Sequence, residues 1–214
     1  MPPPGPMTMS CETGRSVFAY PTDAHIRRHG PIGYTHYPSF KPWLRDEFSF
    51  RCVYCLLRER WYPNGPDSFG VDHVVPKSVE LTLVCAYDNL VYACNRCNSA
   101  KLTAQVLDPC VDGLGNHLRI EDNGVATALT KEGEYAIDAF NLNDARLQKY
   151  RREVINKICR WEENDDHESL TWDLGYPSSL PRLDILRCKS NARPEGISES
   201  HFDRHSRGEL PDRY

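Results

Sequence analysis

The sequence predicts an α+β fold, on three observations. Two Cys-x-x-Cys knuckles, Cys52–Cys55 and Cys94–Cys97, bracket two apolar stretches with strand character. A segment of helical spacing follows the second knuckle directly. Farther on, Leu147, Tyr150, Val154, Ile158 and Trp161 recur every three or four residues, the period of an amphipathic helix. Together these give a strand–loop–strand–helix unit stapled by a four-cysteine metal site, with a C-terminal hairpin and helical extension.

Taken in order, residues 1–40 are rich in Pro, Gly, His and Tyr and read as an extended N-terminal arm. Its start, Met1 to Pro6, has no apolar core and reads as a disordered lead-in rather than a signal peptide. Residues 41–104 form the core. Lys41 to Phe48 reads as a short helix with Pro42 at its start, where a missing N–H costs nothing, and with Trp43, Leu44 and Phe48 turned inward. Tyr62 to Asp67 is a turn cluster. Phe69 to Val75 and Asn89 to Ala93 read as the two strands, joined by a long connection from Pro76 to Tyr87. A helix from Cys94 to about Thr103 sets Asn98 and Lys101 three residues apart on one face.

Residues 105–164 are read as the hairpin plus helical extension. Leu118 to Ala126 carries an Asn123-Gly124 turn, Thr130 can cap a helix to about Phe140, and Asn143 can cap the longer helix. Residues 165–214 are polar and Pro-containing, a tail expected to be disordered past Ser190.

The composition, 40% hydrophobic, supports a globular core, and no stretch approaches the ~20 apolar residues of a membrane helix. Nine cysteines without an export signal point to a reducing, cytoplasmic setting, where paired knuckles bind metal rather than form disulfides. Cys11, Cys85, Cys110, Cys159 and Cys188 are left over, Cys85 reading as a small buried apolar residue. The net charge of −4 argues against strong autonomous binding to nucleic acid, because phosphate contacts dominate that affinity. Bases gather around Arg45, Arg51, Arg58, Arg60, Arg96 and Lys101, leaving two readings: a small basic cleft, or dependence on a partner for the target. His25, His29, His201 and His205 read as solvated.

Four thiolates close a tetrahedral zinc site with no open position, so zinc at Cys52, Cys55, Cys94 and Cys97 is expected to be structural. Chemistry then falls to the residues strung between and just after the knuckles: Asp72-His73, Asn89 and Asn98, with Lys101 close behind. A neutral imidazole near its ordinary pKa of ~6.5 is a general base at cellular pH, and carboxylate and amide oxygens suit a hard divalent ion.

From about Trp43 to Leu102 the chain resembles the HNH family of metal-dependent nucleases, in the subgroup whose zinc knuckles flank a ββα-metal unit. Asp72-His73 resembles the family's first motif, Asn89 its middle asparagine and Asn98 its third position. The resemblance implies a DNA endonuclease in which His73 is the base, Asp72 and Asn98 hold Mg²⁺ or Mn²⁺, and Asn89 ties the connecting loop to His73. Asp72 and His73, neighbours on a strand, normally point to opposite faces, so a twist or strand end must bring both to the site.

Arg96 and Lys101 are candidate nucleic-acid contacts, or else solvated helix charges. RNA is not excluded as substrate, and a protein partner or homo-oligomer can bring the target. Similar stand-alone HNH proteins occur in bacterial restriction and anti-phage systems. The competing reading is a non-cleaving zinc-knuckle binding module or assembly subunit of a larger complex.

Overall fold

The computed structural model describes residues 11–214, so the lead-in at Met1 to Pro6 lies outside the described residues. Helix α1 (Glu12–Ser16) opens the described chain, and an extended arm carries the short strand β1 (Pro31–Ile32). Helix α2 (Lys41–Glu47) precedes the first knuckle, and the hairpin β2 (Phe69–His73) and β3 (Leu90–Cys94) leads into α3 (Asn95–Lys101). A second hairpin, β4 (Leu118–Ile120) and β5 (Ala126–Ala128), is followed by α4 (Lys131–Ala139), α5 (Ala145–Glu163) and α6 (His167–Leu174). The last part holds β6 (Ser190–Asn191) and α7 (His201–Ser206).

Strands β2 and β3 pair antiparallel with Asp72 opposite Val91 and His73 opposite Leu90. All five residues of β3 are buried, so this strand is the floor of the core. Trp43, Leu44, Phe40 and Tyr92 pack there with no exposure. Helix α3 stops at Lys101 rather than Thr103, because Leu102 adopts a φ of 50°.

Several expectations for the rest of the chain need correction. Thr130 caps α4 as expected, its hydroxyl accepting from Gly133 N at 3.1 Å. The cap of α5 is instead Asp144, which accepts from Arg146 N and Leu147 N at 3.0 and 3.2 Å. Asn143 pins β5, exchanging two hydrogen bonds with the Ala126 backbone at 2.8 and 2.9 Å. Cys11 and Cys159 are not leftover thiols: they form a disulfide across a separation of 148 residues and tie α1 to α5. Cys85 is only half-buried.

The tail is packed, not disordered. β6 pairs antiparallel with β1, Pro31 opposite Asn191. Arg58 and Trp61, beside the first knuckle, donate to the carbonyls of Leu174 and Asp173 at 2.9 and 3.1 Å.

Three of the histidines expected in solvent hold the arm and tail to α2. His29 Nε2 and His201 Nδ1 bond the two oxygens of Asp46 at 2.8 and 3.0 Å, and His25 Nε2 bonds Glu47 at 2.8 Å. The tail looked disordered because its composition is polar. Its order comes from buried acids on α2 that only the fold brings near. Among the described residues, no helix is long and apolar enough to cross a membrane.

Candidate active site and metal centre

The two knuckles converge. Cys52, Cys55, Cys94 and Cys97 are all buried, and their sulfurs lie within 4.8 Å of one another. The local chain explains the convergence. Leu56 takes a φ of 61° and donates from its N–H to Cys52 O at 2.9 Å, folding the first knuckle tightly. Cys94 ends β3 and caps α3, its sulfur accepting from Cys97 N at 3.5 Å. The four thiols hydrogen-bond one another: these bonds pull Cys94 below the ordinary cysteine range, while burial and the same neighbours push Cys52 and Cys97 above it, so the set shares its protons until an ion displaces them. A tetrahedral ion with bonds of ~2.3 Å sets sulfurs about 3.8 Å apart, and this donor set fits it.

Beside this centre lies a cleft of about 360 Å³ lined by Asp72, His73, Asn98, Lys101, Lys77 and Tyr37, among others. His73 is the last residue of β2, so the strand end brings it to the same cleft as Asp72. Its Nε2 donates to Val84 O at 3.0 Å, and Tyr37 packs edge-on against the ring at 4.8 Å. Burial lowers the His73 pKa, which favours the neutral imidazole.

Asp72 receives two contacts on one oxygen. Tyr54 OH donates to Oδ2 at 2.7 Å, and Lys101 Nζ sits 3.4 Å from the same atom. Among the described residues, Oδ1 is left without a protein partner. Tyr54 lies between the cysteines of the first knuckle, is 1% exposed and stacks on Phe140, so its hydroxyl is fixed in place. Burial, then the nearby Asp72 carboxylate, pushes its phenol well above the ordinary range and keeps it a donor.

Asn98 directs its amide nitrogen to Val71 O at 3.4 Å, which leaves its oxygen as the available acceptor. Asn89 brackets the connecting loop. Its oxygen accepts from Val75 N at 2.8 Å, and its nitrogen donates to Val75 O and Leu83 O at 3.1 and 3.3 Å.

The two expected basic contacts are placed otherwise. Arg96 does not line the cleft; its guanidinium donates to Phe140 O and Asn141 O at 3.2 and 2.6 Å, anchoring α3 to the end of α4. Lys101 lines the cleft but is 2% exposed, held by Asp72 and the His73 carbonyl. Exposed Lys77 stands at the cleft, its ammonium 4.6 Å from the Tyr37 ring centre. Tyr54, Tyr37 and Lys77 carry no motif. A knuckle's middle residues lie next to the metal, and only that placement hinted at Tyr54.

A knuckle-flanked ββ-hairpin and helix with Asp, His and Asn at one cleft defines a class, and the sequence comparison agrees. Residues 52–103 match the family model of the HNH endonuclease, and this segment is an HNH domain. The chain is also 27% identical, over 140 residues, to the Septu protein PtuB of Bacillus thuringiensis. That alignment covers 59% of this chain and 53% of the relative, so the chain spans about half the length of the curated relative it matches. No solved structure matches the chain.

Proposed function

We propose that the chain is a divalent-metal-dependent endonuclease that hydrolyses phosphodiester bonds in DNA, with His73 as general base and Asp72 and Asn98 holding the catalytic ion. One observation carries the reading: Asp72, His73 and Asn98 line the same cleft, the Asp and Asn each with an oxygen left for a ligand. Mg²⁺ or Mn²⁺ bound there would supply Lewis-acid stabilisation of the scissile phosphate and the leaving oxygen.

The other steps belong to the chain. Donation from Nε2 to Val84 fixes the tautomer, which makes Nδ1 the nitrogen that takes a proton from water. Asn89 holds Leu83, next to Val84, and so keeps that carbonyl in place. Tyr54 and Lys101 orient Asp72 through its other oxygen. Lys77 is the cation best exposed to meet a phosphate, with Lys101 acting through Asp72 and Arg96 through the placing of α3.

Zinc is the ion assigned to the four cysteines, since an all-sulfur tetrahedral set suits it and leaves no position for water. Its role is to tie the first knuckle to the junction of β3 and α3. The net charge of −4 supports a target delivered by a protein partner or a second copy of the chain. The resemblance to HNH proteins of restriction and anti-phage systems supports a cytoplasmic role in bacterial anti-phage defence.

Plasmid digestion with Mg²⁺, Mn²⁺ or EDTA tests the reading. Cleavage should require the divalent ion and should fall by ~10²-fold or more in His73→Ala, with the melting temperature retained. Cleavage at the parental rate by the folded variant would reject His73 as the base.

A further inference from the structure

A second cavity, of about 410 Å³, lies among α1, the end of α5, α6 and the last residues, and shares no lining residue with the cleft at His73. Four buried polar atoms without a hydrogen-bond partner belong to residues on its wall: Arg51 Nε, Arg58 Nε, Glu162 Oε2 and Tyr214 OH. Arg51 and Arg58 face each other across an antiparallel bridge. Their guanidinium carbons lie 4.8 and 4.2 Å from the centre of the Tyr214 ring.

Arg58 is 2% exposed, and its Nη1 donates to Leu174 O at 2.9 Å. Neither arginine forms an ion pair with a carboxylate among the described residues, although Glu162 and Asp165 also line the cavity. Glu162 gives its other oxygen to the Thr13 hydroxyl. A buried cation without a counter-charge is costly, and here buried Arg58 sits beside a second, half-buried cation, Arg51. Burial first, and Arg51 next, pull Arg58 down to about 9.

We propose that this cavity binds a phosphate monoester of about nucleoside-monophosphate size. The phosphate would accept from Arg51, Arg58 and Tyr214, and Arg213 on the same wall adds a third cation. Guanidinium forks match phosphate oxygens in geometry and charge. Glu162 Oε2 is a buried carboxylate oxygen on the wall without a partner, so a ligand that fills the cavity gains from a donor beyond its phosphate, such as a nucleoside hydroxyl or amino group. A volume of about 410 Å³ falls at the small end of ligand clefts, large enough for a phosphate and an attached nucleoside. The source of such a group is either a free nucleotide or the 5′-phosphorylated end of a nucleic-acid strand.

Calorimetric titration of the full, metal-loaded chain tests this with inorganic phosphate, adenosine, AMP and a dinucleotide with or without its 5′ phosphate. AMP should bind more tightly than inorganic phosphate, and adenosine should not bind. The ratio of AMP to phosphorylated dinucleotide identifies the source, and either order upholds the site. Arg51→Met, at the less buried of the two arginines, should weaken AMP by about tenfold or more. Glu162→Met should weaken AMP but not inorganic phosphate. Arg58→Met should match Arg51→Met if it folds; if it does not, Arg51→Met decides. Equal binding of AMP and adenosine, AMP no tighter than phosphate, no binding at millimolar ligand, or an unchanged Arg51→Met would each overturn the proposal.

Discussion

Asp72 with His73 and Asp46 with His29 and His201 use the same residue types for opposite ends. The first pair is adjacent in sequence, stands at a strand end and opens on a cleft. The second joins residues from the arm, α2 and the tail, with His29 and Asp46 fully buried. Both Asp46 oxygens are engaged: Oδ1 by His29 and Oδ2 by His201, whose backbone N–H bonds the same atom at 2.8 Å. Asp72, by contrast, keeps one oxygen free. What separates a fastening from a candidate site here is the lone pair left over beside accessible space. Residue type does not separate them, and neither does depth, since His73 is itself only 4% exposed.

The largest test of that contrast replaces each acid in turn. Asp46→Ala leaves two buried imidazoles and an arginine without their partner. Removing one side of a buried charged pair typically costs ~3–5 kcal/mol, so the melting temperature should fall steeply while cleavage per folded molecule persists. Asp72→Asn should do the reverse, abolishing cleavage at ordinary Mg²⁺ while its amide oxygen still accepts from Tyr54 and Lys101, with a smaller loss of stability. Similar melting curves for the two variants would erase the distinction.

A pH titration probes the fastening with no substitution. Hydrogen bonds from His25 and the Arg28 backbone hold Glu47 down to about 2 against the cost of burial. The unfolded chain, with the carboxyl at its ordinary 4.5, therefore binds the proton first as pH falls. The stabilisation is complete above pH 4.5 and is lost as pH drops towards 2, and the shift corresponds to about 3 kcal/mol. Denaturant melts across that window should show the decline in the parent and a flatter profile in Glu47→Gln. Parallel profiles would remove Glu47 from the account.

Tyr54→Phe sharpens the other side of the comparison and carries the smallest expected effect. The ring still stacks on Phe140, but Asp72 loses the donor that fixes it. The Mg²⁺ concentration for half-maximal cleavage should rise by about tenfold, the low end for loss of a metal ligand's supporting hydrogen bond. The rate at saturating ion should stay near the parental value. An unchanged Mg²⁺ requirement would make Tyr54 a packing residue only.

The sequence by itself determined the parts whose meaning lies in short spacing. Two residues between cysteines fix a knuckle, and adjacency fixes Asp72 beside His73. A three-residue step puts Asn98 and Lys101 on one face of α3. Such constraints act over one turn or one strand and leave a mark in a local window. Tertiary structure alone decided which acids are saturated and which are open, because burial and hydrogen-bond partners come from distant segments. Asp46 finds His201 across 155 residues, Cys11 finds Cys159 across 148, and Arg96 reaches carbonyls more than 40 residues away. The tail shows the same limit. Its polar composition signals weak intrinsic order, but its partners, Asp46 on α2 and Arg58 beside the first knuckle, are buried, where removing charge from water makes pairing decisive.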